Sequence, residues 1–221
     1  MAAQRIAALI GDFYHPPEAM EETLRHVAGQ IGFDLQAFTD PAEAPWSGLG
    51  DFRGLIVARD NRIASAEGNR VWAAPKLESA ISEFTAAGGA LVALHSGLAS
   101  YEAGGDYFRT VRGGFLFHPR EHLRCQVRAL SAGHPVLSGF EQFDLDDEMY
   151  FVRVDSARTT RLLEVAHVDY GTSCAAWAHE AGRGRVFCFT PGHTTTVLND
   201  PGYRRFLENG LRWALRAGKS S

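Results

Sequence analysis

The run Ala90-Leu91-Val92-Ala93-Leu94, broken at once by His95-Ser96-Gly97, constrains the fold more than any other stretch of this chain. An unbroken apolar run of this length reads as a strand buried on both faces, which places it at the centre of a parallel sheet. The small and polar residues after it suit a tight turn into a helix. In an open α/β sheet such a turn lifts one side chain off the carboxyl edge of a central strand, where ligands of these folds bind. His95 takes that place, so the elbow carries an imidazole and not the Cys or Ser of a covalent hydrolase.

Strand and helix signals alternate through the first half. Arg5–Ile10, stopped by Gly11-Asp12, is a first strand. Met20, Leu24, Val27 and Ile31 recur at helical spacing over Glu18–Ile31, and Gly32 stops that helix. Asp34–Phe38 and Gly54–Ala58 are further strands, separated by a loop containing Pro41, Pro45, Ser47, Gly48 and Gly50. Pro75 opens a helix that runs through Ala87 and ends at Gly88-Gly89. The second half is strand-rich. After Tyr107–Val111 and a break at Gly113-Gly114 come Leu123–Leu130, Met149–Val154, Arg161–Val168 and Cys174–Ala178. Cys174–Ala178 and Arg185–Phe189, joined by Gly182-Arg183-Gly184, read as a hairpin. A last helix from Pro201 to about Arg216 buries Phe206, Leu207, Leu211 and either Trp213 or Leu215, ahead of a frayed tail at Gly218–Ser221. The expectation is one α/β domain over residues 1–221, a mainly parallel sheet covered on both faces with antiparallel strands added at an edge.

Bulk properties narrow the function classes. Lys+Arg total 22 against Asp+Glu 26, a net charge of −4, so no basic surplus argues for a nucleic-acid partner. No apolar stretch approaches the ~18 residues needed to cross a bilayer, and Met1–Ile10 is too short for a signal peptide. Cys125, Cys174 and Cys188 are odd in number and lack C-x-x-C spacing, which favours a reduced, cytoplasmic protein. Association into a homo-oligomer is left open.

Four of the nine histidines, His15, His95, His118 and His193, follow strands or sit beside Gly/Pro turns. Those positions form the ligand crevice of such a sheet, and imidazole, with a pKa of ~6.5, is suited to proton transfer. For any one of them the plain alternative is a loop histidine bonded to backbone. In the acidic run Asp144–Glu148, the residues Asp144, Asp146 and Asp147 read as a solvated turn. Glu148 and Tyr150 lie two apart, so on a strand they would share a face, the carboxylate orienting an imidazole and the phenol binding substrate. Ser96, next to the elbow, and Tyr14, next to His15, are candidate substrate contacts. There is no H-E-x-x-H or Cys/His ladder; a divalent metal held by distant histidines and Glu148 would leave no spacing to detect. The glycine pairs form neither G-x-G-x-x-G nor a Walker loop, so no cofactor is evident. His26 and His167 read as structural, as do Trp72, Trp177 and Trp213; Trp46 is more simply a packed loop anchor than a sugar-stacking lid.

Ala93-Leu94-His95-Ser96, Gly113-Gly114-Phe115-Leu116-Phe117-His118-Pro119, His134-Pro135-Val136 and Asp147-Glu148-Met149-Tyr150 stand in an order that resembles the ThuA-like (trehalose utilisation) family. Ala176-Trp177-Ala178, Gly182-Arg183-Gly184-Arg185-Val186-Phe187, Gly192-His193 and Asp200-Pro201-Gly202-Tyr203 extend the likeness from about Ile6 to Leu215. The resemblance implies a class I glutamine amidotransferase-like, flavodoxin-like three-layer fold. Amidotransferases of that fold carry Cys at the elbow; here His95 replaces it, so thiolate glutaminase chemistry is not expected. The loop Arg59-Asp60-Asn61-Arg62 is less distinctive. The family association is with bacterial breakdown of trehalose and related disaccharides, alongside enzymes that make 3-keto sugars.

Two functions follow as expectations. One is an enzyme acting on a disaccharide or keto-sugar by acid–base chemistry, with His95 as base, His193 or His15 as acid, Glu148 orienting, and His118 and Tyr150 lining the pocket. The other is a sugar- or small-ligand-binding accessory domain that has lost catalysis; a metal-dependent hydrolase is a third possibility. Catalysis requires His95, His193 and at least one of His15 or Glu148 to converge.

Overall fold

Strand β1, Gln4–Ile10, shows how the sheet is built: Ile6, Ala8 and Ile10 enter one buried cluster while Ala7 and Leu9 enter another on the opposite face. This is a computed structural model that describes residues 4–63, 70–130 and 133–218; positions 219–221 of the expected tail lie outside the described residues. The remaining strands are β2 Phe33–Phe38, β3 Gly54–Ala58, β4 Ala90–Leu94, β5 Gly113–Phe117 and β6 Leu123–Ala129. They are followed by β7 Phe143–Asp147, β8 Phe151–Val154, β9 Thr160–His167, β10 Gly171–Ala181 and β11 Gly184–Phe189. The helices are α1 Pro17–Gln30, α2 Pro75–Ala86, α3 Asp106–Val111, α4 Thr195–Leu198 and α5 Pro201–Leu215.

Nine strands form one sheet in the order β2-β1-β3-β4-β11-β10-β9-β6-β7. Every pairing from β2 to β11 is parallel and every pairing from β11 to β7 is antiparallel. This is the mixed α/β architecture expected, with the antiparallel strands extending one side. α1 and α5 bury Leu24, Val27, Phe206, Leu207 and Leu211 against one face. α2 and α3 bury Ile81, Tyr107 and Val111 against the other. No described helix is long and apolar enough to cross a membrane.

Topology also decides where the site lies. β1, β4 and β11 run parallel, so their carboxyl ends share an edge. The antiparallel steps through β10, β9 and β6 reverse direction four times by β7, whose carboxyl end therefore points to the same edge.

Two readings of the second half are corrected. Gly113-Gly114 is not a break but the start of β5, which pairs with β8 in a separate two-stranded sheet. A Cβ on Gly113 would lie 2.7 Å from both the Arg153 carbonyl oxygen and the Trp177 ring, so close packing selects glycine there. The acidic run is strand β7, whose alternation sends Asp144 and Asp146 outward and buries Leu145 and Asp147. Asp147 is 0% exposed, which overturns its reading as solvated. The smaller expectations hold: Trp46 stacks on Trp72 with ring centroids 5.6 Å apart and its indole N–H donates to the Pro41 carbonyl. Trp177 is fully buried, and its N–H donates to the Val111 carbonyl.

One buried histidine away from the sheet edge sets an acid limit on the fold. His179 in β10 is 7% exposed; its Nε2–H donates to the Thr110 carbonyl, while Nδ1 has no partner. Burial pushes its pKa down to about 4. Below ~6.5 the unfolded chain binds a proton that the folded chain refuses, so stability falls as pH drops from there toward the folded value. Chemical denaturation at pH 7 and pH 4.5 is expected to show a loss of roughly 2–3 kcal/mol from this residue. In His179→Gln that part of the pH dependence disappears.

Candidate functional site

His95 follows β4 with φ +43°, a left-handed conformation unusual for a non-glycine residue and of the kind that marks functional turns. The turn is tight because Gly97 packs on β3: a Cβ there would lie 1.9 Å from the Val57 carbonyl oxygen. His95 is 1% exposed, and its Nδ1 lies 2.8 Å from the Thr190 carbonyl oxygen. A carbonyl only accepts, so Nδ1 carries the proton and the Nε2 lone pair faces outward from the elbow. Burial lowers the pKa of this imidazole, which keeps it neutral.

His15 comes from the loop after β1. Its Nδ1 lies 2.6 Å from Oδ1 of Asp12, and the same oxygen accepts from the backbone N–H groups of Tyr14 and His15. The other Asp12 oxygen accepts from the Asp60 N–H, tying this loop to the one after β3. Burial works to raise the Asp12 pKa, but the bond to His15 and these N–H donors outweigh it and hold the carboxyl well below the usual range. His15 is thereby oriented with Nε2 turned toward the other imidazoles.

His193 follows β11, and the backbone that carries it is pinned by Asp147. The two Asp147 oxygens accept from the N–H groups of Gly192 at 2.7 Å and of His193 and Thr194 at 3.1 Å. Gly192 adopts φ +130°, which a side chain would resist. Next in sequence, Glu148 leaves β7 and places Oε2 3.3 Å from His193 Nδ1 and 3.5 Å from His95 Nε2, with Oε1 3.6 Å from His118 Nε2. Contact with Glu148 raises the His193 pKa. Burial opposes ionisation of Glu148, but the contacts with His193 and His95 prevail and hold it well below the usual range.

The imidazoles meet directly. His15 Nε2 is 3.1 Å from His95 Nε2 and 3.1 Å from His193 Nδ1. One donor atom from each of His15, His95, His193 and Glu148 lies within 4.8 Å of the others. Tyr150 stacks on His95 at 4.3 Å between ring centroids and packs on Phe115, and burial drives its phenol pKa far upward. His118 lies outside the tight cluster but within reach of Glu148. His122, exposed, sets its ring 5.0 Å from that of His193. A cavity of about 180 Å³ opens on the α1 side, lined by His15, His95, Ser96, His193, Met20 and Leu198 among others. Tyr14 is 47% exposed, its ring 6.3 Å from the His15 ring and under the Arg62 guanidinium.

Of the residues expected from sequence, His15, His95, His193 and Glu148 thus come together, with Tyr150, Ser96, His118 and Tyr14 around them. The reason given for Glu148 and Tyr150 fails: they lie in the connection between β7 and β8, not on one strand face. Asp12 and Asp147 were missed. A carboxylate three residues before His15, straight after a strand-ending glycine, was a legible signal for the first. For Asp147 the signal was the alternation of β7, masked by three neighbouring acids. His26 is exposed on α1, and His167 Nδ1 accepts from the Asp169 N–H; neither reaches the site. The cysteines are free and stand elsewhere, with burial raising Cys125 and Cys174 to about 11.

No curated protein matches the chain. Among solved structures, a ThuA-like protein of Bacteroides uniformis superposes with TM-score 0.70 at 19% identity, covering 100% of this chain and 96% of that one. A ThuA-like protein of Parabacteroides merdae gives TM-score 0.78 at 14% identity, covering 99% and 92%. A β-galactosidase of Rahnella sp. R3 gives TM-score 0.68 at 11% identity, where 99% of this chain matches only 32% of that one. At these identities the structures show a shared fold. The sequence model of the family described as ThuA, trehalose utilisation, matches residues 8–214, and the chain belongs to that family.

Proposed function

We propose that the protein is an enzyme of carbohydrate metabolism that acts on a disaccharide or keto-sugar at the His15–His95–His193–Glu148 cluster. Membership of the trehalose utilisation family supports the substrate class. The observation that carries the assignment of the site is convergence: four side chains from remote segments place their polar atoms within 4.8 Å of one another. Loop histidines serving only local backbone would have no reason to meet.

The cluster suits a sugar in two capacities. As proton carriers, neutral His95 is the acceptor and His193, which holds its proton beside Glu148, is the donor. A carbonyl at one sugar carbon acidifies the neighbouring C–H enough for an imidazole base, so enolisation or elimination is the matching chemistry. The converging lone pairs also suit a cation, which is taken up below. In both cases the sugar enters by the cavity that His15, His95 and His193 line.

The test is turnover measured against a panel of disaccharides and their 3-keto forms, with His95→Ala as the control. The expected result is conversion of at least one sugar by the parent and loss of that conversion in the variant. Full turnover by His95→Ala would remove the cluster from the reaction, and no turnover by the parent would favour a sugar-binding accessory domain.

A further inference from the structure

We infer that His15, His95, His193 and Glu148 form a binding site for one divalent transition-metal ion. The first support is the direction of the lone pairs. With the Nδ1 protons of His95 and His15 committed to the Thr190 carbonyl and to Asp12, both Nε2 atoms are bare acceptors, yet they face each other at 3.1 Å. Two lone pairs at that separation repel unless a positive charge, a shared proton or a metal ion, lies between them. The second is size. Ligands bound tetrahedrally at the usual zinc–nitrogen and zinc–oxygen lengths stand about 3.3 Å apart. Four of the six separations here are 3.1, 3.1, 3.3 and 3.5 Å, and all six lie within 4.8 Å.

The third support is the shell behind the ligands. A metal-bound histidine characteristically donates its other N–H to a carboxylate or a backbone carbonyl, which fixes its tautomer and strengthens it as a ligand. Asp12 does this for His15 and the Thr190 carbonyl does it for His95. Asp147 fixes the backbone of His193. Three imidazoles and one carboxylate suit zinc and its first-row neighbours, whereas magnesium and calcium prefer oxygen. This inference rests on the cluster being the reaction centre, and it gives the imidazoles the task of holding an ion that polarises sugar oxygens in place of carrying protons.

Metal content is read by elemental analysis of protein purified without chelator, and stripped protein is titrated by calorimetry with Zn²⁺ and, separately, with Mn²⁺. The expected result is saturable binding of one ion per chain. Asp12→Asn, which leaves every ligand in place, should weaken it about 10–100-fold, and His15→Gln should weaken it more. His179→Gln should bind as the parent does. Circular dichroism of the stripped variants separates loss of binding from loss of fold. Failure of both ions to saturate a single site, or equal binding by His15→Gln, would overturn the inference. Turnover of a sugar by fully stripped protein would overturn the ion's part in the reaction while leaving the enzyme reading; one bound ion without turnover of any sugar would do the reverse.

Discussion

Glu148→Gln is expected to convert its sugar about 10²–10⁴-fold more slowly than the parent while folding normally. The substitution keeps the shape of the side chain and removes only its charge. That charge lies 3.3–3.6 Å from ring nitrogens of His193, His95 and His118 and is the one carboxylate of the four-residue cluster. Without it His193 loses the partner that raises its pKa, and an ion loses its anionic ligand. The sign is clear: in stripped protein the His193 ring resonances should titrate at lower pH in the variant than in the parent. Steady-state kinetics and proton NMR of the ring resonances check both halves, and unchanged turnover would place the chemistry elsewhere.

Asp147→Ala should cause the largest loss of stability, about 3–5 kcal/mol by urea denaturation. The carboxylate is fully buried and accepts from three consecutive backbone N–H groups, those of Gly192, His193 and Thr194. Its removal strands those donors and frees the loop that carries His193. Asp147→Asn keeps one acceptor oxygen and should lose about half as much. Both variants should lower turnover more than a surface substitution of equal destabilising effect, because the loop they release holds a cluster residue. Activity retained in proportion to the folded fraction would show that Asp147 serves the fold alone.

Much of this was legible in the residues, for identifiable reasons. Strands β3 and β4 have the boundaries their apolar runs indicated, because a strand buried on both faces leaves little doubt about period. His95, His15 and His193 were legible because each follows a parallel strand, and parallel strands deliver their carboxyl ends to one edge. Strand β7 was not, since an edge strand with one exposed face can carry acids at alternate positions and resemble a turn. β5 was hidden by its glycines, which are there because Trp177 and the Arg153 backbone leave no room for a Cβ at Gly113 and the Phe108 ring crowds one at Gly114. The supporting shell was the hardest to see. Asp147 acts on a segment 45 residues away, a contact that exists only after four reversals of the antiparallel strands.

A crystal structure of Glu148→Gln soaked with whichever disaccharide or keto-sugar the parent is found to convert would locate the chemistry most directly. A sugar oxygen within ~3.5 Å of the ring nitrogens of His15, His95 and His193, seated in the cavity those side chains line, is the expected result. A sugar seated in another cleft, such as the one beside Trp46 and Trp72, with the imidazoles untouched, would contradict it.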